Sequence, residues 1–274
     1  MKAKQVAVTG VFDDIRSEHI RFLEEASRAG ELTVLLWGDD LVNQRQRQLP
    51  KFPEAERLYF LQAIRFVQQV QLITKPFAAD TLPEVTGLRP DVWAVGISED
   101  TAAKRKFCAA QGLQYHLVRD EDLRGFPDSS VMASTASGQK KVVVTGSYDW
   151  FHSGHVRFFE EVSAYGDLYV IVGHDANIRL LKGAGHPLLP GAERRYVVGS
   201  IKCVKQALIS SGNGWLDADP EIRQLKPDIY AVNEDGDKGG KREYCQKNGI
   251  QYLVLKRTPA SGLPERSSTL LRGF

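Results

Sequence analysis

The feature that most restricts the fold of this chain is an internal repeat with a very long period. Residues 8–32 read VTGVFDDIRSEHIRFLEEASRAGEL, and residues 144–168 read VTGSYDWFHSGHVRFFEEVSAYGDL. These segments are 136 positions apart, and the later segments 89–91 and 226–228 match at a shift of 137. Since one insertion accounts for the whole copy, the chain is a tandem duplication of one domain. A period of this length indicates two globular units and not a solenoid.

Each copy alternates short apolar, β-branched runs with amphipathic helical patterns. The predicted strands include 33–37, 92–95 and 115–118 in the first copy, and 169–172, 229–232 and 252–255 in the second. Strands separated by helices predict βαβ units. We therefore expect an α/β protein with two tandem Rossmann-like, doubly wound domains, each a parallel sheet with helices on both faces. The small, polar segment 133–139 predicts a linker, which gives domains 1–137 and 138–274.

Composition narrows the classes of partner. The chain has 36 basic and 34 acidic residues among 274, so nothing predicts a nucleic-acid-binding surface. It has no apolar run of membrane length and no basic, apolar N-terminal signal, so we expect no membrane partner. Three cysteines without a CxxC pair are typical of reduced thiols, which predicts a cytoplasmic protein.

The second copy carries a candidate site where a strand gives way to a helix. The run 142–144 predicts a buried strand, and Thr145 and Gly146 end it. Apolar residues recur at helical spacing from His155 onward, so the segment 152–155, His-Ser-Gly-His, lies at the start of a helix. Free backbone N–H groups and the positive end of the helix dipole favour phosphate there. In open α/β sheets this is also the edge where ligands bind.

This arrangement of Thr-Gly, Asp149 between aromatic residues, His-x-Gly-His and an amphipathic helix resembles the cytidylyltransferase-like nucleotidyltransferase superfamily. The resemblance implies that His152 and His155 contact the triphosphate of a nucleotide and stabilise the transition state at its α-phosphorus. It implies that Asp149 helps to hold a metal ion or orients a histidine, although this carboxylate could equally cap the loop. The residues near the motif that it places at the nucleotide are Thr145, Gly146, Tyr148, Asp149 and Gly154.

Further segments of the second copy match the same superfamily. Lys182, followed by glycine, resembles its lysine-bearing loop, which implies a mobile cation over the phosphates. Arg194 resembles an arginine that reaches phosphate or acceptor, yet the first copy keeps the matching Arg57, which favours a structural role such as an ion pair at a helix start. Near the end of the chain, one hydroxyl-rich motif resembles the segment that binds the β- and γ-phosphates: Ser267, Ser268 and Thr269.

The donor nucleotide is predicted from weaker matches. Arg257, followed by threonine, resembles the Arg-Thr pair of cytidylyltransferases, and the segment around Asn233 resembles those that act on glycerol phosphate. Two departures weaken this match, because the spacing from Arg257 to Ser267 is longer and Asn233 stands where glycine is usual. The run 181–187 is as close to adenylyltransferases that activate heptoses. We expect CTP with ATP as the alternative, a phosphate- or phosphonate-bearing acceptor, release of pyrophosphate, and a Mg²⁺ cofactor that bridges the triphosphate.

The first copy differs where this chemistry would take place. Arg16 replaces His152 and Glu18 replaces Gly154, whereas His19 matches His155. A carboxylate at Glu18 would repel phosphate. We therefore interpret the first copy as a degenerate domain that does not turn over nucleotide. Because single-domain members of the superfamily often pair as dimers, the resemblance implies an intramolecular pseudo-dimer, with a homodimer also possible.

Two other classes of function stay open from the sequence. One is a nucleotide sensor without catalysis, against which the complete set of motifs in the second copy argues. The other is a metal-dependent hydrolase that uses His152, His155 and Asp149 as ligands. Zinc sites usually need a further fixed ligand and a closed second shell, so the glycine-flanked helix start fits this class poorly. The sequence does not identify the acceptor.

Overall fold

The structure, a computed structural model, describes residues 3–127 and 138–271. The chain divides into two compact units, Met1–Gly125 and Phe126–Phe274. The second unit thus begins 12 residues before the predicted boundary, and residues 133–137 of the predicted linker lie outside the described residues. In the described part of the chain, no helix has both the length and the apolar character needed to cross a bilayer.

The first unit is built on a parallel five-stranded sheet in the order β3-β2-β1-β4-β5. Its strands are β1 Gln5–Gly10, β2 Glu31–Trp37, β3 Gln69–Ile73, β4 Val92–Gly96 and β5 Gln114–Val118. Its helices are α1 Ser17–Ser27, α2 Asp39–Gln46, α3 Glu54–Ala63 and α4 Ala102–Gln111.

The second unit repeats this topology, with the sheet order β10-β9-β6-β7-β8. Its strands are β6 Lys141–Gly146, β7 Asp167–Val172, β8 Val204–Ile209, β9 Ile229–Asn233 and β10 Gln251–Leu255. Its helices are α5 Ser153–Ser163, α6 Asp175–Lys182, α7 Gly191–Gly199, α8 Asp219–Leu225, α9 Lys241–Lys247 and α10 Ser268–Leu271. The predicted Rossmann-like architecture with two tandem domains is confirmed.

The buried runs that predicted the strands form the centre of each sheet. Val142, Val143 and Val144 of β6 have no exposed surface, as expected for a parallel strand covered on both faces. Helix α5 buries Val156 and Phe159 against the sheet, and each such side chain contributes about 1.5–3 kcal/mol through burial. The helix that carries the histidine motif is therefore held at a defined position.

The strand order places the ends of particular strands together. In both units the order reverses at the first strand, which lies between the second and fourth strands of its copy. Crossovers diverge to opposite faces at such a point and leave a crevice beyond the carboxyl ends of the strands. In the second unit this crevice lies at the ends of β6 and β9, Gly146 and Asn233.

Candidate active site

A tight loop joins β6 to α5 and carries an aromatic ring back over the strand end. Tyr148 adopts a left-handed backbone conformation with φ of 49°, and Phe12 has φ of 48° at the same place in the first unit. The Tyr148 ring covers Gly146 so closely that a Cβ there would lie 2.8 Å from the ring. Glycine at this position is therefore required by the loop, which directs the following residues toward the helix start.

The rings of the two motif histidines lie side by side at the first turn of α5, with an interplanar angle of 34°. Their ring centroids are 4.0 Å apart. His155 also stacks on Phe151, with centroids 5.2 Å apart. The Gly154 N–H donates to His152 Nδ1 at 3.1 Å, and the His152 N–H donates to His155 Nδ1 at 3.3 Å. Backbone groups of the helix start thus hold both imidazoles.

These hydrogen bonds determine the protonation of the rings. An Nδ1 that accepts a hydrogen bond leaves the proton of a neutral imidazole on Nε2. Burial, followed by the charges of Arg257 and Arg266, lowers the pKa of His152 to about 3. Burial, followed by the neighbouring His152, lowers the pKa of His155 well below its ordinary value. Both rings are therefore neutral Nε2–H donors near pH 7.

One of these donors is buried without a partner. His152 is 2% exposed, and its Nε2 has no hydrogen-bond partner among the described residues. A buried donor left unsatisfied costs about 1–3 kcal/mol, and an acceptor oxygen on a ligand would recover this energy. The geometry therefore suits an anionic oxygen at His152 Nε2.

Gly154 makes room for the His152 ring. A Cβ on Gly154 would lie 3.0 Å from both Cε1 and Nδ1 of that ring. The resemblance places Gly154 at the nucleotide, and in the structure the His152 imidazole lies directly against this glycine. The first unit has neither the histidine nor the glycine: Arg16 and Glu18 stand at these two positions.

Three cations lie near the histidines. Lys182, the last residue of α6, donates from Nζ to Ser147 Oγ at 2.7 Å, and its charge acts on His155. Arg257, two residues beyond β10, donates to the Arg266 carbonyl oxygen and to Asp235, both at 2.6 Å. The charges of Arg257 and Arg266 act on His152. Positive charge thus converges from the end of α6 and from two arginines of the segment after β10.

Asp149 ties the loop to the segment before α7. Its carboxylate is 2% exposed and accepts from the backbone N–H groups of Leu188 and Leu189 at 2.7 and 3.2 Å. The equivalent Asp13 accepts from the N–H groups of Lys51 and Phe52. Since the contact recurs in a unit without the histidine pair, it is the loop-capping arrangement that the sequence left open beside metal binding.

A buried arginine makes the same kind of contacts in both units, and in the second unit it is Arg194. Its guanidinium is buried, donates to the carbonyl oxygens of Ser147, Gly173 and Leu189, and pairs with Asp175 at 2.6 Å. Arg57 makes the matching contacts in the first unit, including Asp39 at 2.7 Å. The arrangement is an ion pair at a helix start, as the retention of Arg57 predicts.

The remaining predicted residues border the same crevice at different depths. Thr145 Oγ1 pairs with the buried hydroxyl of Tyr230 at 2.7 Å. Asn233 ends β9, and its side-chain oxygen is buried without a partner in the described residues. Ser268 Oγ donates to the carbonyl oxygen of Trp150 at 3.1 Å, which brings the start of α10 against the histidine loop. Ser267 immediately precedes that helix, and the side chain of Thr269 lies outside the described residues.

Two residues of this site, Ser147 and Arg266, were not predicted from the sequence. Ser147, the partner of Lys182, stands where the first copy has Val11, so the difference between the copies was the available signal. Arg266 flanks the hydroxyl-rich motif, but only the fold brings its charge to His152.

In the first unit the scaffold survives with different side chains. The Arg16 N–H donates to His19 Nδ1 at 3.2 Å, as His152 does to His155. The Arg16 side chain pairs with Asp14 at 2.9 Å. Gln46 ends α2 where Lys182 ends α6, and the neighbouring helix start presents Glu18.

No group of three or more His, Cys, Asp or Glu side chains that could hold a metal ion occurs within residues 3–127 and 138–271. With the Asp149 carboxylate directed at backbone N–H groups, the described residues do not provide the ligand set of a hydrolytic zinc site.

The sequence of this chain is similar to those of several known proteins. A family model described as cytidylyltransferase-like matches residues 143–273. An FAD synthase from Methanocella paludicola is 33% identical over 135 residues, which cover 48% of this chain and 93% of that protein. An FAD synthase from Ferroglobus placidus is 38% identical over 120 residues, 43% of this chain and 75% of that protein. The bifunctional protein HldE from Geobacter metallireducens is 29% identical over 149 residues, 52% of this chain and 29% of that protein.

Proposed function

Because the chain belongs to the cytidylyltransferase-like family and is a nucleotidyltransferase, we propose that its second unit transfers the nucleotidyl group of a nucleoside triphosphate to a phosphate-bearing small molecule, with release of pyrophosphate. The observation that carries this proposal is the pair of neutral imidazoles beside Lys182, Arg257 and Arg266. A buried, unpartnered Nε2–H and a convergence of cations are what a polyphosphate needs.

The chemistry follows from these donors. An oxygen of the acceptor phosphate attacks the α-phosphorus in line, an O–P bond forms, and the bond to the bridging oxygen of the leaving pyrophosphate breaks. The acceptor phosphate is already ionised at neutral pH, so no general base is required. Catalysis then consists of positioning and of stabilising the charge that develops on the phosphoryl oxygens. His152 and His155 donate to these oxygens, and Lys182 moves from Ser147 to the α-phosphate.

Other parts of the site hold the rest of the triphosphate. We assign Ser267, Ser268 and Thr269 to the β- and γ-phosphates, because Ser268 lies against the histidine loop. Asp149 and Arg194 keep the loops in place, since Asp13 and Arg57 make the same contacts in the other unit. Gly154 admits the His152 ring.

Nucleotidyltransferases generally use a divalent cation. The Asp149 carboxylate, which the resemblance offers as a ligand, is buried, accepts from the N–H groups of Leu188 and Leu189 and lies 3.5 Å from His186 Nδ1. Within residues 3–127 and 138–271, no metal site built from three or more protein side chains is available. We propose that Mg²⁺ arrives as part of the substrate, bound to the triphosphate.

Two observations bear on which base the donor nucleotide carries. FAD contains an adenylyl group, so the relatives named FAD synthase favour ATP. Arg257 and the following Thr258 favour CTP, and Arg257 lies beside the motif histidines. We take ATP as the first candidate and CTP as the second.

Pyrophosphate release tests the proposal. The full chain is incubated with MgATP or MgCTP and a panel of acceptors that includes FMN, glycerol phosphate, sugar phosphates and phosphorylated amino alcohols. We expect release with one donor and one class of acceptor. His155→Ala should reduce turnover about 100-fold or more, the scale found for one preorganised oxyanion donor.

The duplicated scaffold supplies the matched control. His19→Ala removes the equivalent imidazole from the first unit, which we propose does not turn over nucleotide, and should leave turnover unchanged. A full panel without pyrophosphate release, or wild-type turnover in His155→Ala, would contradict the proposed function.

A further inference from the structure

The first unit contains a large cavity at the position where the second unit carries its candidate active site. The cavity has a volume of about 720 Å³ and lies beyond the ends of β1 and β4, with Gly10 and Gly96 in its wall. Ligand pockets for small molecules typically measure about 300–1,000 Å³. The first unit therefore has a space of ligand size at this place in the fold.

Residues around this cavity differ in charge from the residues at the equivalent positions of the second unit. Helices α2 and α6 both have 8 residues and end in Gln46 and Lys182. Strands β5 and β10 both end two residues before a charged residue, Asp120 in the first unit and Arg257 in the second. Two of the cations near the histidines are thus replaced, one by a neutral amide and one by a carboxylate.

Two further carboxylates at the rim of the cavity occupy positions that are glycines in the second unit. Glu18 stands at the place of Gly154, and Glu99 at the place of Gly236. Glu18, Asp80, Glu99 and Asp120 line the cavity. Among the lysines and arginines of the described residues, Lys104 is the one that lines it, and Lys104 Nζ pairs with Glu99 at 3.5 Å. Burial lowers the pKa of His19, so this ring adds no positive charge near pH 7. The cavity therefore carries an excess of negative charge.

The inner wall is aromatic. Trp37 and Trp93 line the cavity together with Phe12 and Phe22. One face of the Trp37 ring is covered by the guanidinium of Arg45, whose carbon lies 4.4 Å from the centroid, so a ligand would contact the part of the ring that lines the cavity. Aromatic faces attract organic cations through their quadrupole. Volume, aromatic wall and carboxylate rim are three separate features that agree on the kind of ligand.

We propose that the first unit binds a small organic cation without phosphate groups, in the cavity lined by Trp37, Trp93, Glu18 and Asp120. A triphosphate is excluded because the residues that would face it are acidic. An ammonium group is attracted by the carboxylates while its apolar body contacts the aromatic wall. This inference does not depend on the reaction proposed for the second unit.

Calorimetric titration of the full chain with two probes, choline and phenethylamine, tests the proposal. We expect at least one of them to bind, and 3,3-dimethylbutan-1-ol, the uncharged isostere of choline, to bind at least about tenfold more weakly. In the double variant Glu18→Gln, Asp120→Asn the affinity for the bound probe should also fall about tenfold or more. Glu84→Gln removes an exposed carboxylate that does not line the cavity and should leave it unchanged.

Three results would overturn the proposal: no binding of either probe at millimolar concentration, equal affinity for choline and its uncharged isostere, or equal affinity in the wild type and the double variant. Glu18 and Asp120 are both at the surface, so the double variant is expected to fold. Its thermal unfolding is recorded alongside. Neutralising Glu18 alone and Asp120 alone, each with a partial loss of affinity, provides a second set of variants.

Discussion

At the scale of single residues, the site depends on how a helix start holds two neutral imidazoles. The Nδ1 atoms of His152 and His155 are occupied by backbone N–H groups, and burial prevents protonation. The rings therefore act as directed hydrogen-bond donors and do not contribute charge. Positive charge comes from Lys182, Arg257 and Arg266, whose charges act on the two rings.

The depressed pKa of His152 predicts a pH dependence of stability. The unfolded chain takes up a proton near pH 6.5, whereas the folded chain does not until about pH 3. Stability is thus lost as the pH falls below 6.5. At pH 5 the loss from this one residue is on the order of 2 kcal/mol, from 1.4 kcal/mol per pH unit.

Urea denaturation at pH 7.5 and pH 5, followed by a probe in the second unit, measures this loss. His152→Asn should be less sensitive to acid than the wild type. An identical decrease in both proteins would contradict the buried, neutral state of His152.

The second residue-scale prediction concerns Gly154. In Gly154→Ala the new methyl group would lie 3.0 Å from the His152 ring, so the imidazole must move. We expect turnover to fall about 10- to 100-fold, since small displacements of a positioned group are costly. Stability should change by less than about 1 kcal/mol, because alanine favours the helix. Glu18→Ala at the equivalent position is the control; equal pyrophosphate release in all three proteins would refute the role of Gly154.

At the scale of elements, the two buried arginines connect a strand end, a loop and a helix start in each unit. Removing the guanidinium leaves buried carbonyl oxygens without donors and an aspartate without its partner. We expect Arg57→Met and Arg194→Met to lower the free energy of unfolding of their own units by about 2–4 kcal/mol each. Denaturant unfolding measures both, and a loss confined to Arg194→Met would contradict a shared structural role.

The strands, helices and loops also differ in how well they could be predicted from the sequence. The repeat and the buried valines of β6 predicted the fold, because parallel strands covered on both faces must be apolar. The retained Arg57 indicated that Arg194 has a structural use. The sequence did not predict the contact between Lys182 and Ser147, or the approach of Arg266 to His152, since both depend on loops whose paths have no periodic pattern.

At the scale of the whole molecule, one scaffold occurs twice with opposite charge at its crevice. The strand order and the buried arginine contacts are the same in both units, so the folding of each unit does not depend on the side chains proposed for catalysis. Side chains at the carboxyl ends of the strands were consequently able to diverge. Lys182 and Arg257 in the second unit correspond in sequence to Gln46 and Asp120 in the first.

This divergence predicts that the full chain binds one triphosphate and not two. Calorimetric titration with the magnesium complex of the active donor should give a stoichiometry near one per chain, because Glu18 and Asp120 repel a polyphosphate from the first unit. Arg257→Asp, which copies the first unit into the second, should weaken binding at least about tenfold through the lost charge-assisted contact. Asp120→Asn should leave the stoichiometry at one. Two equivalent sites in the wild type, or undiminished binding in Arg257→Asp, would mean that the charges at the strand ends do not decide which unit holds the nucleotide.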